Sequence, residues 1–307
     1  MSSSPRPAPR KRSIPYAPHL AYWRPLRERE PERAIESLSV TTPDGLTLYA
    51  QATGNPDGPG IVFIHGYSEC HLSWRRQMLD AALAAEFRMV AYDLRGHGLS
   101  DKPFERKRYR EDRLWADDLA AVIDAAGLKR PVLAAWSYAG RVVSDYVRVH
   151  GQDRIAAINY VGAITKVDRK FWGPALRHTI DMTSDDLTTN IRASRKFVHA
   201  CFGARPTGDE MDMTFAYTMM VPAKIRAAVM DRTRNDGDML PQLRVPVLVT
   251  HGAMDRIILP AAGRYTASAV PGGRLSIYEG IGHSPFFEDA PRFNRELAEL
   301  ARAANGD

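Results

Sequence analysis

Three residues of this chain have the types and the order of an acyl-transfer apparatus: Ser137, Asp255 and His283. A serine hydroxyl is a weak nucleophile, so it needs a base that takes its proton during attack and returns it to the leaving group. A histidine does both, and a carboxylate behind it fixes the tautomer and stabilises the imidazolium. Ser137 sits in Ala135-Trp136-Ser137-Tyr138-Ala139-Gly140, where the apolar run 132–135 gives way to the helical pattern of 141–147. A tight strand-to-helix turn lifts such a hydroxyl out of a sheet and aims the next amide, that of Tyr138, at the place where an oxyanion would form. Glycine usually stands two residues to either side of such a serine. Here Ala135 and Ala139 stand there, with a glycine only at Gly140, which predicts slightly wider strand–helix spacing with the geometry at Ser137 kept. Taken alone, a serine at a strand end is as readily a packing residue as a nucleophile.

The elements around these residues argue for chemistry. Short apolar or β-rich runs predict strands near 36–42, 45–51, 60–65, 88–93, 131–136, 156–163, 245–251 and 274–279. The first two join through Thr42-Pro43-Asp44-Gly45, which is turn chemistry. The third ends in His65-Gly66-Tyr67-Ser68, a loop suited to a second oxyanion donor, the amide of Tyr67. The seventh runs into His251-Gly252-Ala253-Met254-Asp255, and the eighth into Gly280-Ile281-Gly282-His283. Each member of the set thus follows the C-terminal end of its own strand, in the order Ser, Asp, His. A competing acid, Asp168, comes too late after the sixth strand to sit at its mouth. Glu288 and Asp289 read instead as the start of the last helix, before Pro291. Strands alternating with amphipathic segments such as 113–123 imply a mostly parallel sheet covered on both faces.

From about Ile35 to its end the chain resembles the α/β-hydrolase superfamily. Within it, His65-Gly66, Arg95-Gly96-His97-Gly98-Leu99-Ser100-Asp101, Trp136-Ser137-Tyr138 and Gly282-His283 look most like the branch of serine esterases and cofactor-free haloperoxidases, or perhydrolases. Residues 221–228 also resemble a segment often seen in those relatives. The resemblance implies an α/β-hydrolase fold with an eight-stranded, mostly parallel sheet, helices on both faces and an inserted helical lid. The core would be 35–164 and 245–307 and the lid 165–244. It implies a catalytic set of Ser137, Asp255 and His283, an oxyanion hole from Tyr67 and Tyr138, and a small, apolar acyl substrate. Epoxide hydrolases and haloalkane dehalogenases need a carboxylate where Ser137 stands. Carbon–carbon hydrolases usually carry Gly-His-Trp where this chain has Gly282-His283-Ser284. A carbon–carbon hydrolase, lactonase or perhydrolase on the same triad remains an alternative, as does a non-catalytic ligand-binding homologue.

Composition narrows the partners. The net charge of +6 is concentrated in residues 1–33, where eight basic residues face three acids, so the remainder is near neutral and carries no basic face for nucleic acid. The segment 1–34 is a basic, proline-rich extension. Seven prolines exclude a long regular helix, and the sequence predicts that its first dozen residues are disordered while Tyr16, Tyr22 and Trp23 anchor 13–33. No run approaches the roughly 20 apolar residues of a membrane span, and no apolar leader is visible. Cys70 and Cys201 are far apart in sequence and read as free thiols of a reducing, cytoplasmic setting. The nine histidines show no metal spacing and no glycine-rich phosphate fingerprint occurs, so neither metal nor organic cofactor is expected. Monomer and dimer both stay open. The Met- and aromatic-rich stretch 211–220 predicts a helix that glues the lid to the core, the alternative being an adaptable apolar pocket.

Overall fold

A computed structural model describes residues 35–204, 206–232 and 237–306. The expectations for segment 1–34 lie outside these residues. Eight strands form one sheet: β1 (Glu36–Thr41), β2 (Thr47–Gly54), β3 (Gly60–Ile64), β4 (Arg88–Tyr92), β5 (Val132–Trp136), β6 (Ala157–Val161), β7 (Val247–Gly252) and β8 (Arg274–Tyr278). Their order is β1-β2-β4-β3-β5-β6-β7-β8. The β1/β2 and β2/β4 pairs are antiparallel. Every later pair is parallel, so β3 to β8 end along one edge of the sheet, where the candidate residues were expected.

Helices of six or more residues are α1 (Ala81–Glu86), α2 (Asp112–Ala125), α3 (Ala139–His150), α4 (Leu187–Ala200), α5 (Gly208–Met219), α6 (Ala223–Met230), α7 (Pro260–Ala269) and α8 (Ala290–Asn305). The central strands are buried along their whole length because both faces are covered. Val62, Ile64, Leu133 and Ala135 pack with Trp115, Leu119 and Val142 of α2 and α3 on one side. Ile61, Phe63, Val132 and Ala134 pack with Leu83, Phe293 and Leu297 of α1 and α8 on the other. Burying one such side chain stabilises the fold by about 1.5–3 kcal/mol. The β1–β2 turn forms as expected, with Gly45 at φ +84° and the Gly45 amide donating to Thr42 O. Strand β2 begins two residues later than the sequence suggested and runs on through Thr53 and Gly54, which pair with Met89 and Arg88.

Between β6 and β7 the regular elements among the described residues are all helical, with α4, α5 and α6 the longest pieces. Asp186 caps α4 by accepting from the Thr189 amide. The Met-rich helix α5 differs from expectation in what it buries. Thr214, Tyr217 and Thr218 are buried, whereas its methionines stay partly exposed.

Candidate active site

Ser137 leaves β5 at φ +55°, a left-handed conformation that a non-glycine residue adopts only under constraint. The constraint is visible in its backbone. The Ser137 amide donates to Val161 O at 2.9 Å, and its carbonyl accepts from Gly140 at 3.1 Å and Ile164 at 2.9 Å. The strained turn is therefore tied to the loop after β6. The close approach falls to Gly140, where a Cβ would stand 2.8 Å from Ile164 O and 2.9 Å from Ala163 Cβ. Alanine suffices at the flanking positions 135 and 139, both fully buried.

The loop after β3 lies against this turn, since a Cβ on Gly66 would meet Ser137 Cβ at 3.2 Å. His65 braces it: Nδ1 donates to Gly66 O at 2.8 Å, and Nε2 accepts from the Leu94 amide at 3.0 Å. Burial pushes this imidazole down to about 4, so it stays neutral. Ser68 holds the second positive φ among described non-glycine residues, +60°. Neither the Tyr67 nor the Tyr138 amide donates to another described group, which leaves both available to an oxyanion.

Asp255 and His283 meet directly, His283 Nδ1 donating to Asp255 Oδ2 at 2.6 Å, with both side chains buried. The other carboxylate oxygen accepts from the amides of Ile257 at 2.8 Å and Ile258 at 3.0 Å. Burial alone would raise the Asp255 carboxyl, but the imidazoles of His283 and His251 outweigh it and hold the group well below the usual carboxylate range. His283 is fixed by its amide donating to Cys201 O and by the Trp136 indole donating to its carbonyl, each at 2.9 Å. With the proton on Nδ1, the lone pair is on Nε2, which is buried and makes no hydrogen bond to Ser137 or any other described residue. Gly162, at φ +50°, packs on this pair: a Cβ there would be 3.1 Å from His283 Nδ1 and 3.3 Å from Asp255 Oδ2.

The competing acids lie elsewhere. Asp168 caps a short turn through the Lys170 amide. Glu288 accepts from the amides of Gly203, Ala204 and Gly282, and Asp289 caps α8. Sequence reading missed Glu69, which follows the Tyr67 loop and is 2% exposed. Burial pushes its carboxyl well above the ordinary range, against weaker pull from Tyr217, Thr218, Ser73 and Arg226. The hydroxyls of Ser73 and Thr218 stand 3.5 Å from it. No local signal marks it, because all its partners but Ser73 come from α5 and α6. The helical segment reaches the site at two further points. Tyr67 packs edge-on against Phe197, and the Tyr138 hydroxyl accepts from Arg232 at 3.1 Å.

Among the described residues Cys70, His71 and Asp93 bring possible metal-ligating atoms within 4.8 Å of one another. Asp93 is already spent there, accepting from His71 Nδ1 at 2.8 Å and from the His71 and Leu99 amides at 2.7 Å. Burial also raises the Cys70 thiol well above its ordinary value, against thiolate formation. Both cysteines are free and buried.

A model of the alpha/beta hydrolase family matches residues 61–296. A bifunctional esterase/perhydrolase of Acinetobacter calcoaceticus is 28% identical over 278 residues, 86% of this chain and 99% of that one. An esterase from Rhodococcus sp. ECU1013 superposes with a TM-score of 0.81 at 33% identity, over 87% of this chain and 99% of that structure. A crystal structure from Burkholderia cenocepacia gives 0.84 at 34% identity, over 89% and 100%.

Proposed function

Since the chain belongs to the alpha/beta hydrolase family, we propose that it is a serine hydrolase that cleaves a carboxylic ester through an acyl-enzyme. One observation carries this reading: a strained serine at the mouth of β5 is bonded to the loop after β6, and Gly162 of that loop packs on a buried Asp255–His283 pair whose Nε2 is uncommitted. Ser137 Oγ attacks the acyl carbonyl while His283 Nε2 takes its proton, and the new imidazolium is stabilised by Asp255. The amides of Tyr67 and Tyr138 receive the oxyanion. Collapse expels the alcohol with the proton from His283 and leaves the acyl group on Ser137. Water, deprotonated by the same nitrogen, then releases the acid. Peroxide in place of water would give a peracid, a reading favoured by the similarity to the Acinetobacter esterase/perhydrolase.

In this account residues 165–244 act as the lid over a core of 35–164 and 245–307. The contacts of Phe197 and Arg232 with the two tyrosines support it. No described helix is long and apolar enough to cross a membrane, and the two free thiols favour a cytoplasmic setting. The test is turnover of a panel of activated esters of varied acyl length. Ser137→Ala should lower kcat on the order of 10⁶-fold in a protein with unchanged circular dichroism. Unchanged turnover in that variant would remove the assignment.

A further inference from the structure

His251 is the penultimate residue of β7 and is fully buried. Its Nε2 lies 2.9 Å from Ile258 O and 3.2 Å from Asp255 Oδ2. A carbonyl only accepts, so Nε2 must carry the proton. The opposite nitrogen, Nδ1, has no partner among the described residues. It packs on Gly263 of α7, where a Cβ would stand 2.5 Å away. The Nε2–H thus donates to Ile258 O, and the same nitrogen stands beside the carboxylate oxygen that accepts from His283 Nδ1 at 2.6 Å.

We infer that His251 is a positioning residue for Asp255: its protonated Nε2 edge, anchored on Ile258 O, lies against Oδ2 and keeps that oxygen turned toward His283. The inference rests on the assignment of Asp255 and His283 to the reaction. Two consequences follow from this placement. The carboxylate is held on both sides, by the Ile257 and Ile258 amides at Oδ1 and by two imidazoles at Oδ2. In addition, the positive edge of the His251 ring beside Oδ2 draws on the charge of that oxygen, so His251 tempers how strongly Asp255 retains the proton on His283. The ionisable groups beside the pair among the described residues include Asp255 itself, the Cys201 thiol, which burial keeps neutral, and Glu288, engaged with the Gly282 amide. Helix α7 presents Gly263, and the loop after β6 presents Gly162.

The test follows the His283 ring by NMR through a pH titration of wild type, His251→Leu and His251→Gln, alongside ester turnover. Leucine removes the donor, whereas the glutamine Nε2 reaches the place of the imidazole Nε2. The His283 midpoint should rise by about 0.5 unit in His251→Leu, with kcat falling about tenfold and KM within twofold. Glutamine should return the midpoint to within about 0.2 unit of wild type. An unmoved midpoint in a folded His251→Leu protein, or a lowered one, overturns the inference. If His251→Leu does not fold, a midpoint in His251→Gln displaced by more than about 0.5 unit overturns it, and one that stays in place supports it. A wild type that hydrolyses no ester overturns the hydrolase reading instead, while the titration still reports on His251.

Discussion

Adding one methyl group at Gly162 should damage the reaction out of proportion to its effect on the fold. Gly162 sits at φ +50°, where an L-residue costs roughly 1–2 kcal/mol. For a folded unit of this size that corresponds to a fall in Tm of about 2–8 °C. The same methyl would stand 3.1 Å from His283 Nδ1 and 3.3 Å from Asp255 Oδ2, so one or both must give by a few tenths of an ångström. A misplacement of about 1 Å can cost 10²-fold in rate. A shift a few times smaller should lower kcat about tenfold, or roughly 1.4 kcal/mol of barrier, with KM little changed. The control is Gly127→Ala, at φ +68° with nothing within 4 Å of the added carbon. It carries the same backbone penalty and should lose Tm without losing kcat. Ester kinetics and thermal melts on both variants decide the matter. A Gly162→Ala protein that melts like the control and keeps kcat within twofold of wild type would refute the placement of Gly162 behind the His–Asp pair.

The Glu69 carboxyl lies above its unfolded value because of burial, so the folded protein binds the extra proton. Stability should then fall as pH rises past the ordinary carboxylate range, by up to about 1.4 kcal/mol per pH unit. Glu69→Gln should therefore melt close to wild type near pH 4.5 and increasingly above it toward pH 8, and a pH-independent Tm difference would contradict this. Asp255→Asn should lower kcat by up to roughly 10⁴-fold, since the amide favours the wrong imidazole tautomer. A loss below tenfold in a folded protein would exclude Asp255 as the partner of the base.

The sheet was legible because its strands are short apolar runs with turn residues between them, as in Gly60–Ile64 and Val132–Trp136. Strand β2 was less so. Its last residue, Gly54, has low intrinsic strand preference and is held by pairing to β4. The candidate nucleophile, acid and base could be read because a parallel sheet delivers whatever follows each strand to the same edge. What escaped notice depends on loops from different strands meeting. Gly162 looks like any loop glycine until His283 arrives against it, and Glu69 shows no local sign of burial until residues of α5 and α6 close on it. Nothing in the sequence around His251 marks it as a second imidazole beside Asp255.

The most direct test of the central claim is reaction with a fluorophosphonate, in which the activated serine oxygen attacks phosphorus and expels fluoride. Intact-mass spectrometry of the folded wild type should show one adduct per chain, located on the peptide bearing Ser137 and absent from Ser137→Ala. A folded wild type that takes up no label, or a label that persists in Ser137→Ala, would contradict the account.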